Sequence, residues 1–172
     1  MGRYYEALCR AMKKLGEDER TIFLGQAVGC DGTGMSASFR GLPPDRVVEF
    51  PVAEDMQMGF ATGLSLTGWL PVCVYPRWNF LGMAFSQLVL HLDKLPLYST
   101  YNPRVLVRVA VGNSDPLNPG PQHLGDFSAE FDDMLLSVSV RTLTRAEDIE
   151  VAYDMAALHN GSTILVEYPK LY

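Results

Sequence analysis

The sequence predicts a single three-layer α/β/α domain built on a mainly parallel sheet. Apolar segments that favour strands alternate along the chain with segments of helical periodicity. Several of these strands, such as residues 105–111, are strongly apolar, which is typical of strands covered by helices on both faces. The length of 172 residues fits one domain, residues 1–172, and no internal repeat or linker divides it.

In the first half of the chain the pattern predicts a helix, a strand, a loop, a strand, a helix and a strand, in that order. The opening helix is predicted from apolar residues that recur every three or four positions between Tyr4 and Leu15. The second helix carries Gly59 and Gly63 on one side, where another backbone can approach closely. The predicted bounds are 3–15, 21–24, 25–41, 47–50, 54–67 and 71–75.

The second half of the chain continues the alternation of strands and helices. A helix is predicted at 80–94 from an apolar stripe formed by Leu81, Phe85, Leu88 and Leu92. A capping box between Thr144 and Glu147 opens the last helix, and Asn160–Gly161 ends it. The remaining predicted segments are strands at 105–111, 136–140 and 162–168 and a Gly/Pro/Asn-rich loop at 112–127.

Composition and charge exclude several classes of function. The formal net charge is -6 and the basic residues form no long run, which argues against a nucleic-acid partner. No apolar stretch reaches the ~18 residues of a membrane span, and the N-terminus lacks the apolar core of a signal peptide. Cys9, Cys30 and Cys73 match no metal or disulfide motif, so we expect a reducing compartment and a cytoplasmic protein.

Glu54 is the first candidate for a functional residue. It stands between a predicted strand that ends at Phe50 and the start of the helix at 54–67, and Pro51 makes the exit from the strand rigid. An acid in the first turn of a helix often serves only the helix dipole. In open parallel sheets, however, ligands bind outside the carboxyl ends of the strands, which is where Glu54 is expected.

An aromatic pair follows the next predicted strand. Trp78 and Phe80 alternate there with Arg77 and Asn79, which suits a loop in which some side chains face a ligand. Aromatic residues after a strand are also commonly core residues, and both interpretations stay open. An acid at one strand end and an aromatic residue at the next can together hold a flat heteroaromatic ring, by a hydrogen bond to a ring nitrogen and by stacking.

His123 is the third candidate, in the predicted loop at 112–127. A long loop after a buried strand is a common place for function, although a single loop histidine is most often only solvated. The run from Gly29 to Gly34 has neither the G-x-G-x-x-G spacing nor the Lys-Ser/Thr ending of a phosphate loop. A nucleotide-binding Rossmann protein is therefore disfavoured.

In order and spacing, these segments resemble the pyrimidine-binding domain of the β subunits of thiamine-diphosphate-dependent 2-oxo-acid dehydrogenases. The transketolases are more distant members of the same group. The resemblance covers nearly the whole chain. The segments that carry it are Tyr4–Leu8, Phe23–Gly29, Pro44–Val47, Pro51–Glu54, Trp78–Phe80, Gln122–His123, Arg145–Asp148 and Leu165–Glu167.

The resemblance implies thiamine diphosphate as the cofactor and a role for each candidate. Glu54 matches the acid that hydrogen-bonds the aminopyrimidine ring and gives it a proton. Trp78 or Phe80 would stack on that ring, with Trp78 preferred from its place in the motif. His123 matches a histidine that faces the substrate and assists acyl transfer. Gln26, in a cofactor-binding position, stands where the family usually has an acid, so a charge-dependent role there is not expected.

The resemblance also implies a partner. The family's diphosphate and Mg²⁺ half-site, with its GDG…N signature, has no counterpart in this sequence, and neither has its C-terminal domain. We therefore expect a partner chain that carries the diphosphate and Mg²⁺, in a hetero-oligomer such as a dimer of heterodimers joined through the helices at 54–67 and 80–94. The small-molecule substrate would be a 2-oxo acid or a ketose, acted on by decarboxylation or by acyl or ketol transfer. The alternative is a catalytically silent homologue that serves as a structural or regulatory subunit, which Gln26 favours.

Overall fold

The chain folds around one sheet, in a computed structural model that describes residues 2–30, 32–115 and 118–172. The described residues form six strands and seven α-helices. The strands are β1 Thr21–Gly25, β2 Val47–Glu49, β3 Leu70–Tyr75, β4 Leu106–Ala110, β5 Ser139–Thr142 and β6 Thr163–Glu167. The helices are α1 Arg3–Leu15, α2 Gly34–Ala37, α3 Glu54–Leu66, α4 Trp78–Met83, α5 Leu95–Tyr98, α6 Ser128–Met134 and α7 Ala146–Leu158.

All strand pairs are parallel, in the order β2-β1-β3-β4-β6-β5. The chain leaves β1 towards β2 on one side and returns to β3 on the other side of β1. The connections that follow β1 and β3 therefore diverge, and they open a crevice at the carboxyl ends of these two strands. This is the position at which parallel α/β sheets bind ligands.

Apolar side chains on the two faces of the sheet form two cores. Phe23 and Val72 face a layer that contains α1 and α7, whereas their neighbours Leu24 and Cys73 face α3, α4 and α6. Each fully buried side chain of this size stabilises the fold by about 1.5–3 kcal/mol. The predicted three-layer α/β/α domain with a parallel sheet is confirmed. No helix among the described residues has the length and apolar character needed to cross a membrane.

The helix predicted at 80–94 consists of two pieces. It begins two residues earlier as α4 and continues as a π-helix, Ser86–Leu92, which ends with a hydrogen bond of 3.0 Å from the Asp93 N–H to the Leu88 carbonyl. The π-helical turn is wider than an α-helical turn. It buries Leu88, Val89 and Leu92, while Phe85 at its start is 43% exposed. A regular α-helical stripe that included Phe85 was therefore the wrong prediction.

Three short helices, α2, α5 and α6, were not predicted, and one strand starts later than expected. The helix α2 lies within the predicted loop 25–41, of which Asp31 is outside the described residues, and α6 follows the predicted loop 112–127, of which residues 116 and 117 are also outside. The strand predicted at 136–140 is β5, which starts at Ser139. The backbone N–H groups of residues 136–138 donate to the buried carboxylate of Asp93 instead of to a neighbouring strand.

The predicted capping box at the start of α7 is absent. Arg145 occupies the N-cap position without a side-chain capping bond, and its Nε donates to the Glu147 carboxylate at 2.8 Å. The Glu147 side chain is therefore engaged by a cation and does not accept the hydrogen bond from the Thr144 N–H that a capping box requires. At the other end of α7, Arg104 donates hydrogen bonds to the carbonyl oxygens of Ala157 and His159. These carbonyl groups therefore have donors although the helix ends there.

Candidate active site

The sequence-predicted site residues all follow the carboxyl ends of neighbouring strands. Gln26 follows β1, Glu54 follows β2, Trp78 and Phe80 follow β3, and His123 lies in the connection that follows β4. Because these strands are parallel, the residues lie along the same edge of the sheet. The structure therefore supports the expectation that they belong to one region, and it also shows which of them are in contact.

Glu54 is the first residue of α3 and is half-buried. A tight turn precedes it, with a hydrogen bond of 2.7 Å from the Ala53 N–H to the Pro51 carbonyl. The Tyr75 hydroxyl, at the end of β3, donates to the Glu54 carbonyl at 2.9 Å. Burial raises the pKa of Tyr75 well above its usual value, so this hydroxyl stays protonated and remains a donor. The backbone of Glu54 is thus fixed to β3.

Gln57 fixes the next turn of α3 to the same strand. Its side chain is fully buried, and Nε2 donates to the Val74 carbonyl at 2.9 Å. Its Oε1 has no hydrogen-bond partner among the described residues. Sequence reasoning missed both Tyr75 and Gln57 because each acts through a backbone carbonyl that the sequence does not reveal.

Trp78 lies beneath the surface. Its side chain is 1% exposed, packs against Phe131 of α6 with ring centres 5.0 Å apart, and meets the ring of Phe127 edge-on at 6.5 Å. The ring therefore offers no open face in this chain. Its indole N–H has no hydrogen-bond partner among the described residues.

Phe80 is half-buried and lies beside His123. The two ring centres are 5.5 Å apart and the ring planes are inclined by 31°. The structure therefore favours Phe80 over Trp78 as the ring available for stacking on a ligand. The stacking itself stays a prediction, as do the roles of Glu54, Gln26 and His123.

His123 ends a short 3₁₀ turn, Pro121–His123, and is held from two sides. Its Nδ1 lies 2.9 Å from the Asn79 side-chain oxygen of α4. Its backbone passes so close to Gly112, just after β4, that a Cβ at position 112 would overlap the His123 carbonyl oxygen. Asn79 was not among the sequence candidates, although its place between the two aromatic residues was a usable signal. Nε2 of His123 has no hydrogen-bond partner among the described residues.

The turn after β1 contains Gln26 and is shaped by an acid from β2. Both carboxylate oxygens of Glu49 accept backbone hydrogen bonds, from Ala27 at 2.6 Å and from Gly29 at 2.7 Å. Ala27 has a φ of 54°, a left-handed conformation that is uncommon for a residue with a Cβ. Gln26 itself is half-buried. A carboxylate therefore lies at this turn, but it comes from Glu49 and holds the backbone of the turn in place.

The fold and this edge define a class of protein, a parallel α/β domain whose candidate ligand site lies at the strand ends. Residues 3–167 match the family model described as "Transketolase, pyrimidine binding domain", and the chain belongs to this family. The resemblance to this domain is confirmed. No group of three or more His, Cys, Asp or Glu side chains in the described part of the chain is arranged to hold a metal ion.

Curated relatives and a solved structure share the domain. The 1-deoxy-D-xylulose-5-phosphate synthase of Nitratidesulfovibrio vulgaris (strain DP4) is 30% identical over 168 residues, which cover 96% of this chain and 24% of that protein. The 1-deoxy-D-xylulose-5-phosphate synthase 2 of Geobacter sulfurreducens is 31% identical over 155 residues, covering 90% of this chain and 23% of that protein. The chain thus spans about a quarter of the length of these relatives.

A solved structure titled "Split gene transketolase, inactive beta4 tetramer" has the same fold. Its TM-score is 0.74 at 21% sequence identity, and the match covers 95% of this chain and 50% of that chain. These comparisons name synthases and a transketolase, so the narrower 2-oxo-acid-dehydrogenase type stays a prediction.

Proposed function

We propose that this chain is the pyrimidine-binding half of a thiamine-diphosphate-dependent enzyme whose diphosphate and Mg²⁺ are held by a partner chain. One observation carries the proposal: a half-buried carboxylate, Glu54, and a half-buried pair of rings, Phe80 and His123, belong to the same edge of the sheet. A carboxylate and an aromatic face are the two groups that a flat, nitrogen-containing ring needs. The donor set therefore fits the pyrimidine end of the cofactor.

The cofactor, when bound, supplies the carbanion chemistry next to a carbonyl carbon. In our proposal the residues of this chain bind the ring and hold protons. Glu54 holds a proton at its carboxyl group for a ring nitrogen, and Phe80 packs on the ring face. Asn79 orients His123 through Nδ1, which leaves Nε2 to exchange a proton with the substrate.

The proposed reaction class is formation or cleavage of a carbon–carbon bond beside a carbonyl, on a 2-oxo acid or ketose substrate. The names of the relatives, synthases of 1-deoxy-D-xylulose 5-phosphate, favour acyl or ketol transfer over an oxidative reaction. We also propose a cytoplasmic location, a proposal that the three free cysteines support.

The proposed partner binds to the layer that contains α3, α4 and the π-helix. Apolar side chains of this layer are unusually exposed for a monomer: Met56 54%, Phe60 49%, Met83 68%, Phe85 43% and Leu90 55%. Gly59 does not contribute, because it packs within the chain against Gln87, whereas the space around Gly63 is open. We call the layer formed by these exposed side chains the partner face. The neighbour's title, which describes a split transketolase and an inactive tetramer, supports an assembly that needs a second kind of chain.

The test is cofactor binding with and without a partner. The chain is co-expressed with a neighbouring coding sequence that carries the GDG…N signature, and thiamine diphosphate binding is measured by calorimetry with Mg²⁺. We expect no micromolar binding by the chain alone, since the charge-assisted phosphate contacts are missing. The complex of the two chains should bind thiamine diphosphate tightly. Micromolar binding by the chain alone would reject the split site, and a complex that binds no cofactor would favour the silent structural subunit.

A further inference from the structure

The helix α7 presents a stripe of apolar side chains that no other element in the described part of the chain covers. Val151, Met155 and Leu158 are 57%, 65% and 84% exposed. Their spacings of four and three residues place them on one side of the helix. The helix belongs to the layer of α1, on the opposite side of the sheet from the partner face. The proposed partner therefore does not cover this stripe.

A groove runs beside this stripe. A cavity of about 500 Å³ lies between α7 and the edge strand β5, lined by Ser139 and Arg141 of β5, by Asp148 and Met155 of α7, and by His159, the C-cap of α7. The helix α6 packs on the other face of β5. Arg141 is exposed and forms no ion pair within the described part of the chain. The groove can thus receive apolar side chains, with charged groups at its margins.

We propose that the occupant is a second copy of this chain, docked so that two α7 helices pack antiparallel across a two-fold axis. In this arrangement two of the three stripe residues, Val151 and Met155, are complementary to each other, and Leu158 lies beside His159, opposite Asp148. Val151 of one copy faces Met155 of the other, and Asp148 faces His159. Both pairs are centred near Tyr153, as a single two-fold axis requires. The parallel arrangement would instead place like residues side by side.

The ends of α7 add to the complementarity. Asp148 lies in the first turn of the helix, and its ion pair with Arg145 is long, at 3.8 Å, and exposed. A carboxylate of this kind can still accept a hydrogen bond from the imidazole of His159 on the other copy. Antiparallel packing also brings the positive N-terminal end of each helix dipole to the negative C-terminal end of the other.

The small size of the stripe limits the strength of the contact between two copies. A stable interface buries about 800 Å² on each partner, and one helical stripe supplies less than that. The contact is therefore weak between free chains and becomes significant when chains are already joined through another face, because the second contact is then intramolecular. This inference does not depend on the proposed catalytic function.

Disulfide trapping tests the predicted register. The natural Cys9 and Cys30 are replaced by Ser, and separate chains carrying Val151→Cys and Met155→Cys are mixed under mild oxidation. We expect the mixed disulfide to form about tenfold faster than with a Leu136→Cys control, because docking raises the effective thiol concentration. Leu136 is also an exposed apolar residue, at 69%, but it lies outside the stripe. A mixed disulfide no faster than this control would overturn the proposal and leave the stripe to another protein or to an anionic ligand.

Charge reversal tests the same contact without cysteine. We expect Asp148→Arg to lower trapping about tenfold in the Val151→Cys and Met155→Cys pair, and His159→Asp in the same chains to restore it. Circular dichroism confirms that each variant is folded. Unchanged trapping in Asp148→Arg, or failure of the double variant to recover, would show that Asp148 and His159 do not face each other, and the antiparallel arrangement would be wrong.

Discussion

Glu54 is held in place through its backbone and not through its carboxylate. Tyr75 fixes its carbonyl, Gln57 fixes the following turn, and the carboxylate makes no hydrogen bond among the described residues. Substitution of the side chain should therefore leave α3 in position. This separation lets a mutation test the chemistry of Glu54 without disturbing the fold.

We expect Glu54→Gln to reduce turnover of the assembled enzyme by about 10²–10⁴-fold while the complex still forms. Glutamine can hydrogen-bond the ring but cannot give it a proton. The matched control is Asp55→Asn, the adjacent and more exposed acid, which should change turnover little. Steady-state kinetics and gel filtration measure both properties. Turnover near the wild-type value in Glu54→Gln would reject the catalytic assignment.

Substitutions of Trp78 and Phe80 should have separate effects, one on stability and the other on cofactor binding. Trp78→Ala removes a fully buried ring and should lower the free energy of unfolding by about 3–5 kcal/mol. Phe80→Ala removes a half-buried ring, so it should affect the fold less but weaken cofactor affinity by about tenfold through lost stacking. Urea denaturation of each chain and calorimetry of each complex measure these effects. A stable Trp78→Ala chain with weakened cofactor binding would restore the original preference for Trp78.

At the scale of elements, the buried carboxylate of Asp93 joins the end of the π-helix to the segment that leads into β5. It accepts backbone hydrogen bonds from Leu136, Ser137 and Val138 and pairs with the Lys94 ammonium. Burial alone would raise the pKa of Asp93, but Lys94 and the three N–H groups outweigh it, and the pKa lies below its usual value. The carboxylate is therefore ionised in the folded protein and stabilises it.

We expect Asp93→Asn to lower the free energy of unfolding at pH 7 by about 2–4 kcal/mol, because the charge-assisted bonds are lost. A lowered folded-state pKa stabilises the protein above the unfolded pKa of about 3.9, and this stabilisation disappears as the pH falls through the folded pKa. The difference between wild type and variant should therefore be constant above about pH 5 and shrink below pH 4.

Urea unfolding at several pH values measures this difference. The control is Asp154→Asn, which breaks a partly exposed pair with Lys14 and should cost less than about 1 kcal/mol. A difference between wild type and Asp93→Asn that grows towards low pH would contradict the assigned ionisation.

At the scale of the whole molecule, the sequence predicted the layers, and it predicted that the candidate residues follow the carboxyl ends of neighbouring strands. Alternating apolar segments are sufficient for this, because each strand and helix must bury one face. The sequence did not predict α6. It also placed the start of β5 too early, because the N–H groups before β5 bond to Asp93, which is more than forty positions away. Long-range side-chain bonds of this kind leave no local periodicity.

The candidate site was predicted as a set of residues but not as a geometry. Trp78 and Phe80 are two positions apart at the start of a helix, so they point to nearly opposite sides, and only one can face the core. The sequence could not decide which, since the answer depends on Phe127 and Phe131 covering Trp78. The pairing of Asn79 with His123 likewise depends on Gly112, which admits the returning loop.

The last prediction concerns the independence of the two exposed faces. Met83 on the partner face and Met155 on α7 are exposed to nearly the same extent, 68% and 65%, so Met83→Glu and Met155→Glu form a matched pair. A carboxylate placed in an apolar contact should weaken it by about tenfold or more. We expect Met83→Glu to lose partner binding and turnover while α7 disulfide trapping persists. Met155→Glu should keep partner binding and turnover and lose only the proposed weak self-association, which sedimentation measures. Loss of partner binding in Met155→Glu would assign α7 to the partner, and full partner binding in Met83→Glu would move the partner to another surface.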